Sequence, residues 1–260
     1  MKLGVTYNVF DGIELLESSI LSIIDNVDYI NIVYQTTSNF GEYLDNFPIL
    51  KDLVDKKLVN HLIFYEPNLG ISAQQNEVMK RNIGLEHLKE NSCTHFMNLD
   101  VDEFYKKNEL EWAKKEIIRY NYNATIVRMY RYYKYPTVQI NNFLNGYVDY
   151  APLIYSINNK LGSFGWRYFV DATRQGSGGN VHVFSENEIM MHHMAYIRSN
   201  MRMKMNNKYT RQNFIGQLEE MIKNFEDYQL GDDVIIHFQG KNHVMKVNIV
   251  DNIFNIEEIK

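Results

Sequence analysis

Two spacings of hydrophobic residues alternate along the first part of the chain. Lys2–Val9 is a short apolar run that predicts a strand. Asp11-Gly12-Ile13-Glu14 follows as a helix-start signal, an acidic cap with a glutamate three residues on. Ile13, Leu16, Ile20 and Ile23 recur at helical spacing, so one face of that helix packs on the sheet. Tyr29–Tyr34 predicts a second strand, Gln35-Thr36-Thr37-Ser38-Asn39 a polar loop, and Phe47–Leu58 a short helix behind Pro48. His61–Tyr65 predicts a third strand, closed by the turn signal Glu66-Pro67-Asn68-Leu69-Gly70. Ser72-Ala73-Gln74-Gln75 is a capping box opening a long helix that runs to about Lys89. Strand and helix alternate throughout, which predicts an α/β fold with a largely parallel sheet and right-handed crossovers.

The later pattern is less regular. Asn108–Tyr120 predicts a helix, and Ala124–Tyr135 a strand dense in tyrosine and arginine. Gly146–Ile157 and Trp166–Ala172 read as further strands, and the glycine-rich stretch from Gly162 to Gly179 as a mobile loop and candidate lid. Glu188–Ile197 carries His192-His193 and is followed by Arg198, Arg202 and Lys204. Phe214, Leu218, Met221 and Phe225 stand at helical spacing within Thr210–Tyr228, and Asp232–Lys260 reads as a strand pair or a partner-binding tail. No repeat or linker divides the chain. We therefore expect one domain over 1–260, with halves at 1–105 and 106–230 and an extension over 231–260.

Chemistry concentrates in Thr94–Tyr105. The apolar run Phe96 to Leu99 leads directly into Asp100-Val101-Asp102-Glu103, so the acids fall at the carboxyl end of a buried strand. In open α/β sheets that edge is where ligands sit. Side chains alternate along an extended chain, so Asp100 and Asp102 are expected on one side, able to share a hard divalent cation. The bland alternative is a solvated acidic turn. An EF-hand is excluded, because Phe104 and Tyr105 stand where that loop needs a ligand and a glycine.

Composition narrows the classes. At 260 residues the chain has room for an ample core. A net charge of −5 argues against a general nucleic-acid binder. The single cysteine, Cys93, allows no internal disulfide and no cysteine-based zinc site, which fits a reducing compartment. There is no signal-peptide pattern, and no apolar run approaches the roughly 20 residues a membrane span needs, so a soluble, cytoplasmic protein is expected, with peripheral membrane association left open. The 19 tyrosines and 14 phenylalanines are core material that also suits a surface stacking on sugars or bases.

Three segments taken together, Asn68-Leu69-Gly70, Arg81-Asn82-Ile83-Gly84 and Asn98-Leu99-Asp100-Val101-Asp102-Glu103-Phe104-Tyr105, resemble a family 2-like glycosyltransferase of the GT-A fold. Order and spacing match over about the first 105 residues, and the remainder matches more loosely through Val170-Asp171-Ala172-Thr173-Arg174 and His193-Met194-Ala195-Tyr196-Ile197-Arg198. The resemblance implies a GT-A-like, mainly parallel sheet flanked by helices. It also implies transfer of a sugar from a nucleotide diphosphate sugar, a UDP-sugar foremost, to an acceptor hydroxyl with help from Mn2+ or Mg2+. The product would serve glycan or polysaccharide biosynthesis. The chemistry is sound, since a metal on the departing diphosphate offsets the charge that develops there.

On that resemblance, Asp100, Asp102 and His193 are the expected metal ligands, with His192 on the other face if the segment is a strand. Tyr7 and Asn8 are placed beside the donor base, with Gln35 and Asn39 nearby. Arg81, Asp100, Arg198 and Lys204 are placed on the nucleotide and its phosphates, and Asp171 as the base for the acceptor hydroxyl. Each has a plainer alternative: a surface ion pair for Arg81, a structural pairing with Arg174 for Asp171, and a core and a surface histidine for the His pair. The strand around Arg128–Tyr135 is a candidate acceptor platform or simply an amphipathic edge. The chain departs from the family where Gln35-Thr36-Thr37 replaces an acidic residue after the second strand. Two other functions stay open: a sugar nucleotidyltransferase, although Asn8-Val9-Phe10-Asp11-Gly12 is not a glycine-rich triphosphate loop, and a non-catalytic carbohydrate-binding protein of the same fold.

Overall fold

The structure, a computed structural model, describes residues 1–140, 149–178, 180–208, 210–211, 215–238 and 241–257. The start of the strand expected over Gly146–Ile157, Gly179, Phe214 and the last three residues of the tail lie outside them. Four strands open the chain: β1 (Leu3–Val9), β2 (Tyr29–Tyr34), β3 (His61–Phe64) and β4 (His95–Asp100). They lie in the order β3-β2-β1-β4, all parallel, with α1 (Leu16–Ile23), α2 (Phe47–Asp55) and α3 (Ala73–Glu90) in the connections.

The side chains of β1 divide by parity. Leu3, Val5, Tyr7 and Val9 enter the main core with Leu16, Ile20 and Ile23 of α1. Gly4 and Thr6 face α3 instead, and close approach there depends on small residues. A Cβ on Gly84 of α3 would lie 2.0 Å from Thr6 Oγ1, and one on Gly4 would lie 2.7 Å from Leu88 and from Cys93 Sγ. The capping box at Ser72 and Gln75 is formed as expected. The cap expected at Asp11 is not: Gly12 takes the N-terminal position with φ 73° and no side-chain cap, and the helix begins as a 3-10 turn over Ile13–Leu15.

Beyond β4 come β5 (Glu103–Phe104), α4 (Lys107–Tyr120), β6 (Ala124–Tyr133), β7 (Tyr135–Ile140) and β8 (Tyr150–Ser156). The single strand expected over Ala124–Tyr135 is a hairpin, because Lys134 adopts φ 58° and turns the chain back. β8 pairs antiparallel with both β4 and β6, so it joins the parallel half to the rest. Next are β9 (Leu161–Gly162), β10 (Gln175–Gly176), β11 (Val181–Val183) and β12 (Met190–Tyr196), the last two parallel to β6. α5 (Met201–Asn207), α6 (Leu218–Asp227), the hairpin β13 (Val234–Phe238) and β14 (Lys241–Met245), and β15 (Val247–Ile249) complete the chain. The architecture is a mixed α/β sheet flanked by helices.

Trp166–Ala172 forms no strand. Gln175 Oε1 accepts from the backbone N–H groups of Phe164 (2.8 Å) and Trp166 (3.2 Å), a side chain standing in for a strand partner. The C-terminal stretch joins the same sheet, since β15 pairs with β7 and Phe254 and Ile256 pack with Phe104 and Tyr132. No helix among the described residues is long and apolar enough to cross a membrane.

Candidate functional site

The parallel strands β1 and β4 end side by side, with Thr6 opposite Asn98 and Asn8 opposite Asp100. Met97 and Leu99 enter the core, which turns Asn98 and Asp100 toward α3. The first turns of α3 meet them with polar side chains that are themselves buried, Asn76, Lys80 and Arg81, before the helix becomes apolar at Leu85 and Leu88. Arg81 spends its whole guanidinium here. Nη1 donates to Asn98 Oδ1, Nη2 to Asp100 Oδ1 at 3.0 Å, and Nε to Thr173 Oγ1 at 3.2 Å.

The strand stops at Asp100, and Val101-Asp102 is a turn. The alternation expected to bring the two carboxylates to one side therefore ends between them, and each has its own basic partners. Asp100 is met by Arg81 and, at 3.5 Å, by Arg174 Nη1. Asp102, with only 4 % of its side chain exposed, receives Arg198 Nη2 at 2.5 Å and Lys204 Nζ at 2.7 Å on Oδ2, with His193 Nε2 3.5 Å from Oδ1. Burial pushes both carboxyls up, but the neighbouring basic side chains outweigh it: Arg81 and Arg174 hold Asp100 below its ordinary value, and Lys204 and Arg198 hold Asp102 well below. Burial and the neighbouring Arg198 pull Lys204 down.

The two histidines of β12 face opposite ways. His193 looks toward Asp102, whereas His192 is buried with Nδ1 2.7 Å from the Tyr132 hydroxyl, and burial lowers its pKa to about 3. Gly12 matters for the same cluster, because a Cβ there would lie 2.8 Å from Arg198 Cζ. The guanidinium needs that space.

Glu103 and Arg174 lie in segments that carry the resemblance, but nothing local showed that they pair, and Lys80 gave no local signal. Glu103 forms a buried two-pronged pair with Arg174, through Nη1 to Oε1 and Nη2 to Oε2 (2.8 Å), and Arg174 Nη2 also reaches the Asn98 carbonyl. Burial alone would lower Arg174; Glu103 and Asp100 outweigh it and hold its pKa well above the ordinary value. This pair anchors the end of the glycine-rich stretch to the sheet, and Trp166 Nε1 donates to Gly176 O at 3.0 Å behind it. Residues 170–176 are thus tied down by buried bonds, which does not suit the lid expected there. Lys80 is also buried, donating to Gln35 Oε1 (3.0 Å) and Glu77 Oε1 (3.2 Å).

The residues expected at the donor base separate. Tyr7 is fully buried under α1 with its hydroxyl 3.0 Å from Ser19 Oγ, so its ring offers no face to a ligand; the parity of β1 puts it in the core. Asn8, one position on, turns to the α3 side, and neither its Oδ1 nor its Nδ2 has a protein partner although both are buried. Gln35 is engaged with Lys80 and, through Nε2, with Thr37 O at 2.8 Å. Asn39 Nδ2 donates to Glu77 Oε1 at 2.8 Å. Asp171 Oδ1 accepts from Thr173 N (2.7 Å) and Oγ1 (2.8 Å), shaping the turn that delivers Thr173 to Arg81.

A divalent cation does not fit this arrangement. Among the described residues no group of three or more His, Cys, Asp or Glu side chains is placed to hold a metal ion. Asp102 is already engaged by Arg198 and Lys204, and Asp100 by Arg81 and Arg174, so neither carboxylate is presented to a cation without a competing basic side chain. α5 and the residues after it span the edge from Asp102 to the 36–46 loop: Asn207 Nδ2 donates to Glu42 Oε2 at 2.7 Å, and the Arg211 guanidinium lies 3.5 Å from the centre of the Phe40 ring. Two cavities lie elsewhere, one apolar between Tyr133, Met205 and Phe225, the other between α1, the start of α4 and Phe254.

Fold and site together define a mixed α/β domain with a cation-rich, partly orphaned polar cluster at the carboxyl edge of its parallel strands. No family model and no curated protein matches the chain. Among solved structures it is similar to S. aureus TarS, at 14% identity and a TM-score of 0.47 over 88% of this chain and 44% of that one. It is also similar to S. aureus TarS 1–349 in complex with UDP-GlcNAc, at 14% identity and 0.47 over 87% and 72%, and in complex with UDP, at 14% and 0.37 over 50% and 36%. The chain thus spans less than half of two of these structures. Likeness this loose leaves the activity to be argued from the residues themselves.

Proposed function

We propose that this protein transfers a sugar from a nucleoside diphosphate sugar to an acceptor hydroxyl, with the donor held at the carboxyl edge of β1 and β4. The observation that carries this is the cluster of Arg81, Arg174, Arg198 and Lys204 around Asp100 and Asp102, beside an Asn8 side chain buried with both polar atoms unpartnered. A buried amide without partners costs free energy that a bound base or ribose would recover. The basic side chains suit phosphate oxygens. The resemblance of the Asp100–Glu103 segment and of Arg81 to a family 2-like glycosyltransferase supports the same reading, and makes UDP-sugars the first donors to assay.

In the reaction, the bond from the anomeric carbon to the β-phosphate oxygen breaks and its electron pair stays on that oxygen. The acceptor hydroxyl oxygen forms the new bond to carbon, and its proton passes to a base, for which Asp171 is the candidate. Preplaced positive charge at the departing diphosphate lowers the barrier, because it acts where charge develops. Arg198 and Lys204 are the groups proposed for that role, with Arg81, fixed on Asn98 and Thr173, keeping Asp100 in place at the nucleotide side.

The test is release of nucleoside diphosphate from a panel of UDP-, GDP-, CDP- and ADP-sugars with and without hydroxyl acceptors. We expect release from one family, lost in Lys204→Met. No release from any donor across a broad acceptor screen, with nucleotide still bound, would point to the non-catalytic carbohydrate-binding protein. Pyrophosphate release from a nucleoside triphosphate and a sugar phosphate would identify a nucleotidyltransferase instead.

A further inference from the structure

Asp102 is where the expected metal should bind, and its surroundings are those of an anion already neutralised. Oδ2 accepts from Arg198 and Lys204 together, and Oδ1 faces His193. A hard divalent cation such as Mg2+ needs an octahedral oxygen shell and is usually held through one or two carboxylates together with waters and substrate phosphates. On Asp102 it would sit against two side-chain cations attached to the same carboxylate. Asp100, the other carboxylate, is committed to Arg81.

The basic side chains, in contrast, are seated with donors to spare. Gly12 lies beside the guanidinium of Arg198, where a Cβ would be 2.8 Å from Cζ. Arg198 Nε and His193 Nδ1 are buried without a partner. Lys204 spends one of an ammonium's three donors on Asp102. Its carrier, α5, is held over the edge by the bond from Asn207 to Glu42.

The geometry points to a nucleoside diphosphate bound without a divalent metal, its phosphate oxygens taken by Arg198 and Lys204, with Asp102 as the positioning residue that holds both side chains at the edge. This rests on reading the edge as the donor site. It differs from that reading in what neutralises the diphosphate: the cations are covalently part of the chain, and Asp102 serves them rather than a metal.

Isothermal titration of UDP, GDP, CDP and ADP into the full chain, once in EDTA and once in Mn2+, tests it. We expect one diphosphate to bind in EDTA with a Kd within about twofold of its value in Mn2+. Lys204→Met should weaken that binding roughly tenfold, the loss of one charge-assisted bond, while the matching nucleoside monophosphate is weakened less. Lys204→Arg should restore most of the affinity, and circular dichroism should show both variants folded. Binding that appears only with Mn2+ or Mg2+, or that is indifferent to Lys204→Met, overturns the metal-free site and leaves the donor-site reading standing. Binding of no diphosphate in either buffer overturns both.

Discussion

In the parallel half, from β1 to β4, the contacts that place site residues are made by neighbours in the alternating pattern: α3 lies on β1 and β2, and Arg81 reaches Asn98 and Asp100 only 17 and 19 residues away. In the other half, the groups that complete the site arrive from far along the chain. Arg174 meets Glu103 across 71 residues, Arg198 meets Asp102 across 96, and Lys204 meets it across 102. Both regions have apolar cores, but site residues of the first are placed by apolar faces and close backbone approach, and those of the second by a few buried charge pairs. Packing faces tolerate modest change in many places. A buried charge pair fails at one.

The strongest way to break the comparison is Arg174→Met. It leaves Glu103, whose side chain is 2 % exposed, buried without its partner. Breaking a buried pair from one side costs about 3–5 kcal/mol. Urea unfolding should show that loss, and Glu103→Gln with Arg174→Met should recover a large part of it. A cost under about 1 kcal/mol would mean that water reaches Glu103 and that the second half is not latched as described.

The matching perturbation in the parallel half is Gly84→Ala. A methyl there meets Thr6 Oγ1 at 2.0 Å, Thr6 Cβ at 2.9 Å and Val33 Cγ2 at 3.0 Å. Thr6 is β-branched on a central strand, so it yields little, and overpacking of this kind costs about 1–3 kcal/mol despite alanine's better helix propensity. Adding Thr6→Ala should return most of the loss in thermal unfolding. If Gly84→Ala alone is neutral, α3 slides easily on the sheet and the position of Arg81 needs another explanation.

This contrast also explains what the sequence disclosed. The spacing of Ile13, Leu16, Ile20 and Ile23, the capping box at Ser72 and the apolar run before Asp100 report local periodicity, and the elements they predict are present. The extended chain inferred through Asp102 is a turn, because periodicity does not say where a strand stops. Tyr7 and Asn8 are adjacent, and only the register of β1 decides that the first is core and the second faces the site. Lys80 looks like any surface basic residue until its partners are known, and Arg174, read as a structural partner for Asp171, shows its pairing with Glu103 only in the fold. A signal for Arg198 did exist: Gly12, read as part of a helix start, is the space its guanidinium occupies.

A smaller effect belongs to His192 of β12. Burial, with Lys106 adding to it, lowers His192 to about 3. Its unfolded value is about 6.5, so the unfolded chain binds the proton first as pH falls. The stability His192 supports is therefore complete above about pH 6.5 and declines toward pH 3, by up to about 1.4 kcal/mol per pH unit. Denaturant midpoints measured between pH 7 and pH 4 should show this slope, and His192→Gln should flatten it. An unchanged slope in His192→Gln would assign the acid sensitivity to the other histidines that burial lowers, His87, His95 and His182.

The mildest test asks whether the parallel half can lose stability without losing the site. Ser72 Oγ accepts from Gln75 N at 3.2 Å, and Gln75 Oε1 accepts in return from Ser72 N at 3.0 Å. Ser72→Ala removes that cap at a cost of about 1 kcal/mol. The cap lies two turns before Arg81, whose guanidinium is fixed independently by Asn98, Asp100 and Thr173. The midpoint of unfolding should fall while affinity for the diphosphate stays within about twofold, since a shift under 0.4 kcal/mol is no more than that. Lost affinity of the same size as lost stability would show that the start of α3 frays into the site, and that the two halves are not held by separate means.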